Sequence, residues 1–152
     1  MKAVFSFQFS IAAMSEHRLT PARFFAAWGV AFLVMGTLDG LWLGWLALDF
    51  YQLQMGALMT DSVRIVPALA YYLMYPAAVV FLALTPQPAT LRMAAVRSAA
   101  LGLAAFGVYD LTNLATLRGY TVAMTLVDMA WGTFATAAGG SAAYRWVLTR
   151  AA

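Results

Sequence analysis

The sequence predicts an all-α polytopic membrane protein: a four-transmembrane-helix bundle with a short interfacial segment between helices 1 and 2. Three observations predict it. Hydrophobic residues make up 64% of the 152 residues and charged residues 10%, against about 25% charged in a soluble domain. The mean hydropathy is +0.78. Long apolar runs are separated by short polar stretches that carry helix starts and stops. A soluble chain of this length has too little interior to hide so much apolar surface, so the solvent is lipid.

Residues 1–20 read as an N-terminal arm, mobile or interfacial. The apolar stretch after Lys2 is too short to span, and Ser15-Glu16-His17-Arg18 follows it. Met14 is an alternative start to Met1. The transmembrane domain covers 21–148. Thr20-Pro21 starts its first helix, with Thr20 as N-cap and Pro21 at N1. The run from Ala22 to Leu48 is apolar except for Arg23 and Asp39, and at 1.5 Å per residue it reaches about 40 Å. Gly36, Gly40 and Gly44 share one face, a spacing that lets another helix approach closely. Asp49 to Arg64 is more polar but keeps Phe50, Tyr51, Leu53 and Leu58. It is expected as a short amphipathic helix on the membrane surface, or an ordered loop.

The second span runs from Ile65 to Leu84, with Pro67 in its first turn and a kink expected at Pro76. Thr85-Pro86-Gln87-Pro88 stops it. The third runs from Ala94 to about Leu117, and Arg118-Gly119-Tyr120 makes a tight turn. The fourth runs from Thr121 to about Trp146. Along it Thr121, Thr125, Asp128, Gly132, Ala135 and Gly139 form one stripe of small and polar residues, the pattern of a buried helix face in a membrane bundle.

Four spans put both termini on one side. Lys2, Arg18, Arg23, Arg92, Arg97, Arg145 and Arg150 fall on that side, and Arg64 and Arg118 on the other. The positive-inside rule makes the first side cytoplasmic. Asp39 and Asp110 then lie past the middle of outward-running helices, and Asp128 before the middle of an inward-running one. All three carboxylates sit roughly 5 Å outside the midplane, and Tyr71 and Tyr72 reach a similar level.

Asp39-x-x-Trp42, Asp128-x-x-Trp131 and Asp110-x-x-Asn113 each place two polar side chains three apart on one helix face. Carboxylates inside a membrane are costly, and proton relays and ion pathways are built of them. The candidate site therefore comprises Asp39, Asp110, Asn113, Asp128, Tyr71, Tyr72, Tyr75, Trp42 and Trp131. Gly36, Gly40, Gly44, Gly132 and Gly139 are read as helix-packing positions. The competing reading is that each Asp only locks the bundle through hydrogen bonds. Three like charges in low dielectric are not all ionised cheaply, so at least one acid is expected to stay protonated.

Leu38-Asp39 with Leu41-Trp42-Leu43-Gly44, then Tyr109-Asp110-Leu111-Thr112-Asn113, then Val127-Asp128-Met129-Ala130-Trp131-Gly132 resemble a bacterial family of small membrane proteins, domain of unknown function 2177. The resemblance covers about residues 22–148. It implies a four-helix inner-membrane protein and brings no activity with it.

Several function classes are excluded. With no Cys there are no disulfides or thiolate sites, and with His17 the single His there is no His-based catalytic pair in the apolar body. The net charge of +3 with no basic run leaves no nucleic-acid footprint. Three carboxylates and an amide are donors a hard cation accepts, but nothing in the spacing demands a metal, and no metal or cofactor is expected. The leading reading is a carrier for protons, cations or a small polar solute, working as a homo-oligomer because four helices are few for alternating access. The alternatives are a membrane-embedded enzyme on a lipid-like substrate, which lacks a nucleophile, and an accessory subunit contacting membrane lipids.

Overall fold

A computed structural model describes residues 19–60 and 62–149. The N-terminal arm expected over 1–20 lies outside the described residues except for Leu19 and Thr20. The described chain is all-α. Helix α1 spans Pro21–Leu41 and runs on through a π-helical turn, Trp42–Leu46. Its start follows the sequence chemistry: the Thr20 hydroxyl accepts from the Arg23 backbone N–H at 3.3 Å.

Helix α2, Leu48–Met55, occupies the stretch where a surface helix or loop is expected. Gly56 ends it with φ +48, a conformation side chains disfavour. Helix α3 spans Ile65–Ala78. Pro76 lacks an N–H, and the chain beyond it widens into a π-helical turn, Val79–Ala83.

Helix α4 spans Leu91–Thr116, three residues longer at its start than the apolar run from Ala94. The reason is a cap: the Thr90 hydroxyl accepts from Met93 N–H at 3.1 Å. Gly119, at φ +82, makes the turn. Helix α5 spans Val122–Ala143 and ends in a π-helical turn, Tyr144–Leu148. The Thr121 hydroxyl caps its start by accepting from Met124 N–H at 3.1 Å.

The most extensive pairing is the antiparallel hairpin of α4 and α5, and α1 also packs on α5. Missing side chains allow this approach. A Cβ on Gly102 would lie 2.8 Å from the Gly132 carbonyl oxygen, and one on Gly132 would collide with the Phe106 ring. One on Gly139 would sit 2.5 Å from Met35 Cγ. Gly36, Gly40 and Gly44, expected to pack against another helix, meet none at close range among the described residues of this chain. A Cβ at any of the three would meet nothing within 4 Å, because α1 turns its Ala27, Ala31 and Met35 side inward instead.

Three helical stretches among the described residues are long and apolar enough to cross a membrane: Pro21–Leu46, Ile65–Ala83 and Leu91–Thr116. Helix α5 is not among them. It buries Thr125, Asp128, Gly132, Thr136, Gly139 and Gly140, so its sequence carries the polar and small residues of an interior helix. The outward faces of the others are apolar: Trp45 is 76% exposed and Val66 80%. Such a surface suits lipid rather than water.

Candidate functional site: buried carboxylates and their phenol and indole donors

The three carboxylates come from three helices, and all are buried: Asp39 on α1, Asp110 on α4 and Asp128 on α5. Asp110 and Asp128 lie within hydrogen-bonding reach of each other, facing across the α4–α5 hairpin. Small residues around them let the two helices come this close.

Two phenols clamp the pair. The Tyr51 hydroxyl donates to Asp128 Oδ1 at 2.5 Å, and the Tyr120 hydroxyl donates to Asp110 Oδ1 at 2.5 Å. Burial, and then the Asp128 carboxylate that Tyr51 bonds, push the Tyr51 hydroxyl well above the usual phenol range. Burial and the Asp110 bond do the same to Tyr120. Both therefore stay O–H donors at physiological pH. Asp110 Oδ2 is buried and has no hydrogen-bond partner among the described residues.

Asp39 is held differently. The Trp131 indole N–H donates to Asp39 Oδ1 at 2.9 Å, and Tyr72 approaches the same carboxyl. Trp131 stacks on Trp42, with ring centroids 4.3 Å apart and planes 7° from parallel. The Trp42 indole in turn donates to the Tyr51 hydroxyl at 3.2 Å. The two Asp-x-x-Trp repeats are thus crossed. Each indole serves the other repeat's acid, Trp131 directly and Trp42 through Tyr51. The stacked indoles join the Asp39 position to the Asp110–Asp128 pair.

The remaining candidates are distributed around this core. Tyr71 stacks on Tyr75 at 5.5 Å. The Tyr75 hydroxyl lies 3.0 Å from Thr136 Oγ1. Thr136 spends its own proton on the Gly132 carbonyl at 2.6 Å, so Tyr75 is the donor. Asn113 lies beside Tyr109 and Tyr120 rather than on a carboxylate. A cavity of about 340 Å³ opens next to the pair, lined by Tyr71, Tyr75, Ala105, Phe106, Tyr109 and Asp128. Among the described residues, no three acidic or His side chains converge as a metal site would need.

Sequence reasoning missed Tyr51 and Tyr120. Tyr51 lies on the short polar helix α2 and Tyr120 in the turn before α5, places where a tyrosine reads as an interface residue. Helix α2 folds back over the bundle end, fastened where the Thr121 hydroxyl donates to Gln54 Oε1 at 2.5 Å. That fold-back carries Tyr51 to Asp128. A local signal existed for Tyr120 alone: it sits at the turn of the hairpin whose first arm carries Asp110.

A family model described as "Predicted membrane protein (DUF2177)" matches residues 24–145. No curated protein and no solved structure shows a match to the chain.

Proposed function

The chain belongs to the DUF2177 family of predicted membrane proteins, and from that premise we propose that it is a proton-linked carrier of the bacterial inner membrane. In this reading four helices cross the bilayer and both termini are cytoplasmic. Helix α5 crosses with the rest because it runs antiparallel to α4 across a short turn and is packed on α1 as well. Its polar stripe meets other helices, so lipid does not select against it. The seven-to-two division of basic residues supports the orientation.

One observation carries the carrier reading: Asp110 is fully buried, its Oδ2 has no donor among the described residues, and a second acid, Asp128, lies within reach of the same carboxyl. A bundle lock pairs nearly all its buried polar atoms. Asp110 Oδ2 is left unpaired among the described residues along with Arg23 Nε and Ser98 Oγ, but it alone of the three belongs to an acid beside another acid. Two carboxyl groups in contact need one proton between them, and that proton supplies the missing donor. The pair is then a site that gains and loses a proton while Tyr51 and Tyr120 hold its geometry. A second copy of the chain is proposed to cover the open Gly36, Gly40 and Gly44 face, completing a pathway that four helices are too few to form.

Everted membrane vesicles test the carrier reading, since a pH gradient can be imposed across the native membrane. Wild-type protein should speed the collapse of an imposed pH gradient, and Asp110→Asn should remain folded and lose that effect. A gradient that collapses equally fast with Asp110→Asn, or no faster with wild type than in vesicles lacking the protein, overturns the reading. Gly40→Leu tests the assembly. The monomer should fold, because nothing among the described residues lies within 4 Å of that Cβ, and the oligomer that wild type is expected to form in detergent should fall apart. An unchanged oligomer removes that interface.

A further inference from the structure

The cavity beside the carboxyl pair has a composition of its own. Its walls are Tyr71 and Tyr75 from α3 and Ala105, Phe106 and Tyr109 from α4, and Asp128 of α5 is its acidic member. Its volume of about 340 Å³ lies at the small end of the range for small-molecule sites. Tyr109 is 51% exposed, so it stands at the cavity's edge, and the space is reached between α3 and α4. Four aromatic rings and a carboxylate are the chemistry that recognises an organic ammonium ion: the ring faces attract the cation and replace its water, and the carboxylate supplies the counter-charge. A metal ion is served poorly here, since it wants several oxygen ligands and the walls are mainly carbon.

We infer that this cavity binds a small hydrophobic organic cation, a quaternary or protonated amine, with its charge against Asp128 and its apolar part among Tyr71, Tyr75, Phe106 and Tyr109. The inference deepens the carrier reading and rests on it in one respect: the cation and the shared proton compete for the same carboxyl pair. The groups facing Asp128 are Tyr51 of α2, Asp110 and Tyr109 of α4, Tyr71 of α3 and, more distantly, Asp39 of α1. All are acids, so an anion gains nothing at this site. When the cation enters, the proton between Asp110 and Asp128 leaves to solvent, and one positive charge replaces another.

Isothermal titration calorimetry of the full chain in lipid nanodiscs tests this with benzyltrimethylammonium as the probe. Neopentylbenzene, its neutral isostere, is the control. Two buffers of different ionisation enthalpy give the affinity and the proton count from the same data. The expected result is saturable binding of the cation, none of the isostere, and about one proton released per cation. Asp128→Asn should abolish binding. Tyr109→Leu, at the exposed edge, should keep the fold and weaken binding about tenfold. Absence of saturable cation binding, equal binding of the isostere, or unchanged affinity in Asp128→Asn overturns the cation site and leaves the shared proton untouched. Saturable, Asp128-dependent binding without proton release upholds the cation site and removes the shared proton.

Discussion

Asp39 and Asp110 begin as the same object, one carboxylate in an apolar helix, and end differently. Asp39 receives the Trp131 indole proton, with Tyr72 beside it, and neither of its oxygens is both buried and unpaired. Asp110 accepts one phenol O–H on Oδ1, leaves Oδ2 without a donor among the described residues, and has a second acid within reach. The difference teaches what a buried acid is for. Neutral donors that satisfy a carboxylate make it a fastening. Two acids that share a deficit of one proton make a site whose proton can be exchanged.

Substitutions sharpen this contrast, and Asp128→Leu should have the largest effect. It strands both the Tyr51 hydroxyl and the Asp110 carboxyl, two buried polar groups at about 2 kcal/mol each. Thermal unfolding in detergent should show a loss of about 4 kcal/mol. Asp39→Leu strands the Trp131 N–H and takes an acceptor from Tyr72, which is only partly buried, so the loss there should be smaller, about 2 kcal/mol. Equal losses at the two positions would erase the distinction.

Tyr51→Phe removes one donor from Asp128 and the acceptor of the Trp42 indole, and should cost about 1 kcal/mol. It should also release α2, seen as faster amide exchange over Leu48–Met55 than over α4. Uniform exchange would mean that Gln54 and Thr121 fasten α2 without Tyr51. Asp110→Asn should cost least, within about 1 kcal/mol of wild type, because the amide N–H₂ donates to Asp128 where the proton stood. A loss as large as that of Asp128→Leu would mean the amide does not replace the proton.

The helices were legible because their signals are local. Thr20-Pro21 starts α1 where the chain says it should, and the Gly119 turn joins two helices of opposite direction. The start of α4 was misjudged from Ala94 because the apolar run draws attention past Thr90, whose hydroxyl sets the boundary. The acids were legible from their cost in lipid. Their donors were not, for the Trp131 indole reaches the acid of the other Asp-x-x-Trp repeat, 92 residues away at Asp39, and the Trp42 indole reaches Asp128 only through Tyr51. Tyr51 depends on the fold-back of an eight-residue helix, which no periodicity encodes. The glycine stripes show the same limit. Gly132 and Gly139 meet neighbours, while Gly36, Gly40 and Gly44 meet none among the described residues, although spacing alone makes them alike. Small residues permit an approach without naming what approaches.

The central claim is that Asp110 and Asp128 hold one proton between them at neutral pH. Infrared difference spectroscopy of the purified protein in lipid reads it directly, through the C=O stretch of a protonated carboxyl group and its shift in heavy water. The account predicts that band in wild type, its loss in both Asp110→Asn and Asp128→Asn, and its persistence in Asp39→Asn. A wild-type spectrum with no protonated carboxyl band, or a band that only Asp39→Asn removes, would contradict it.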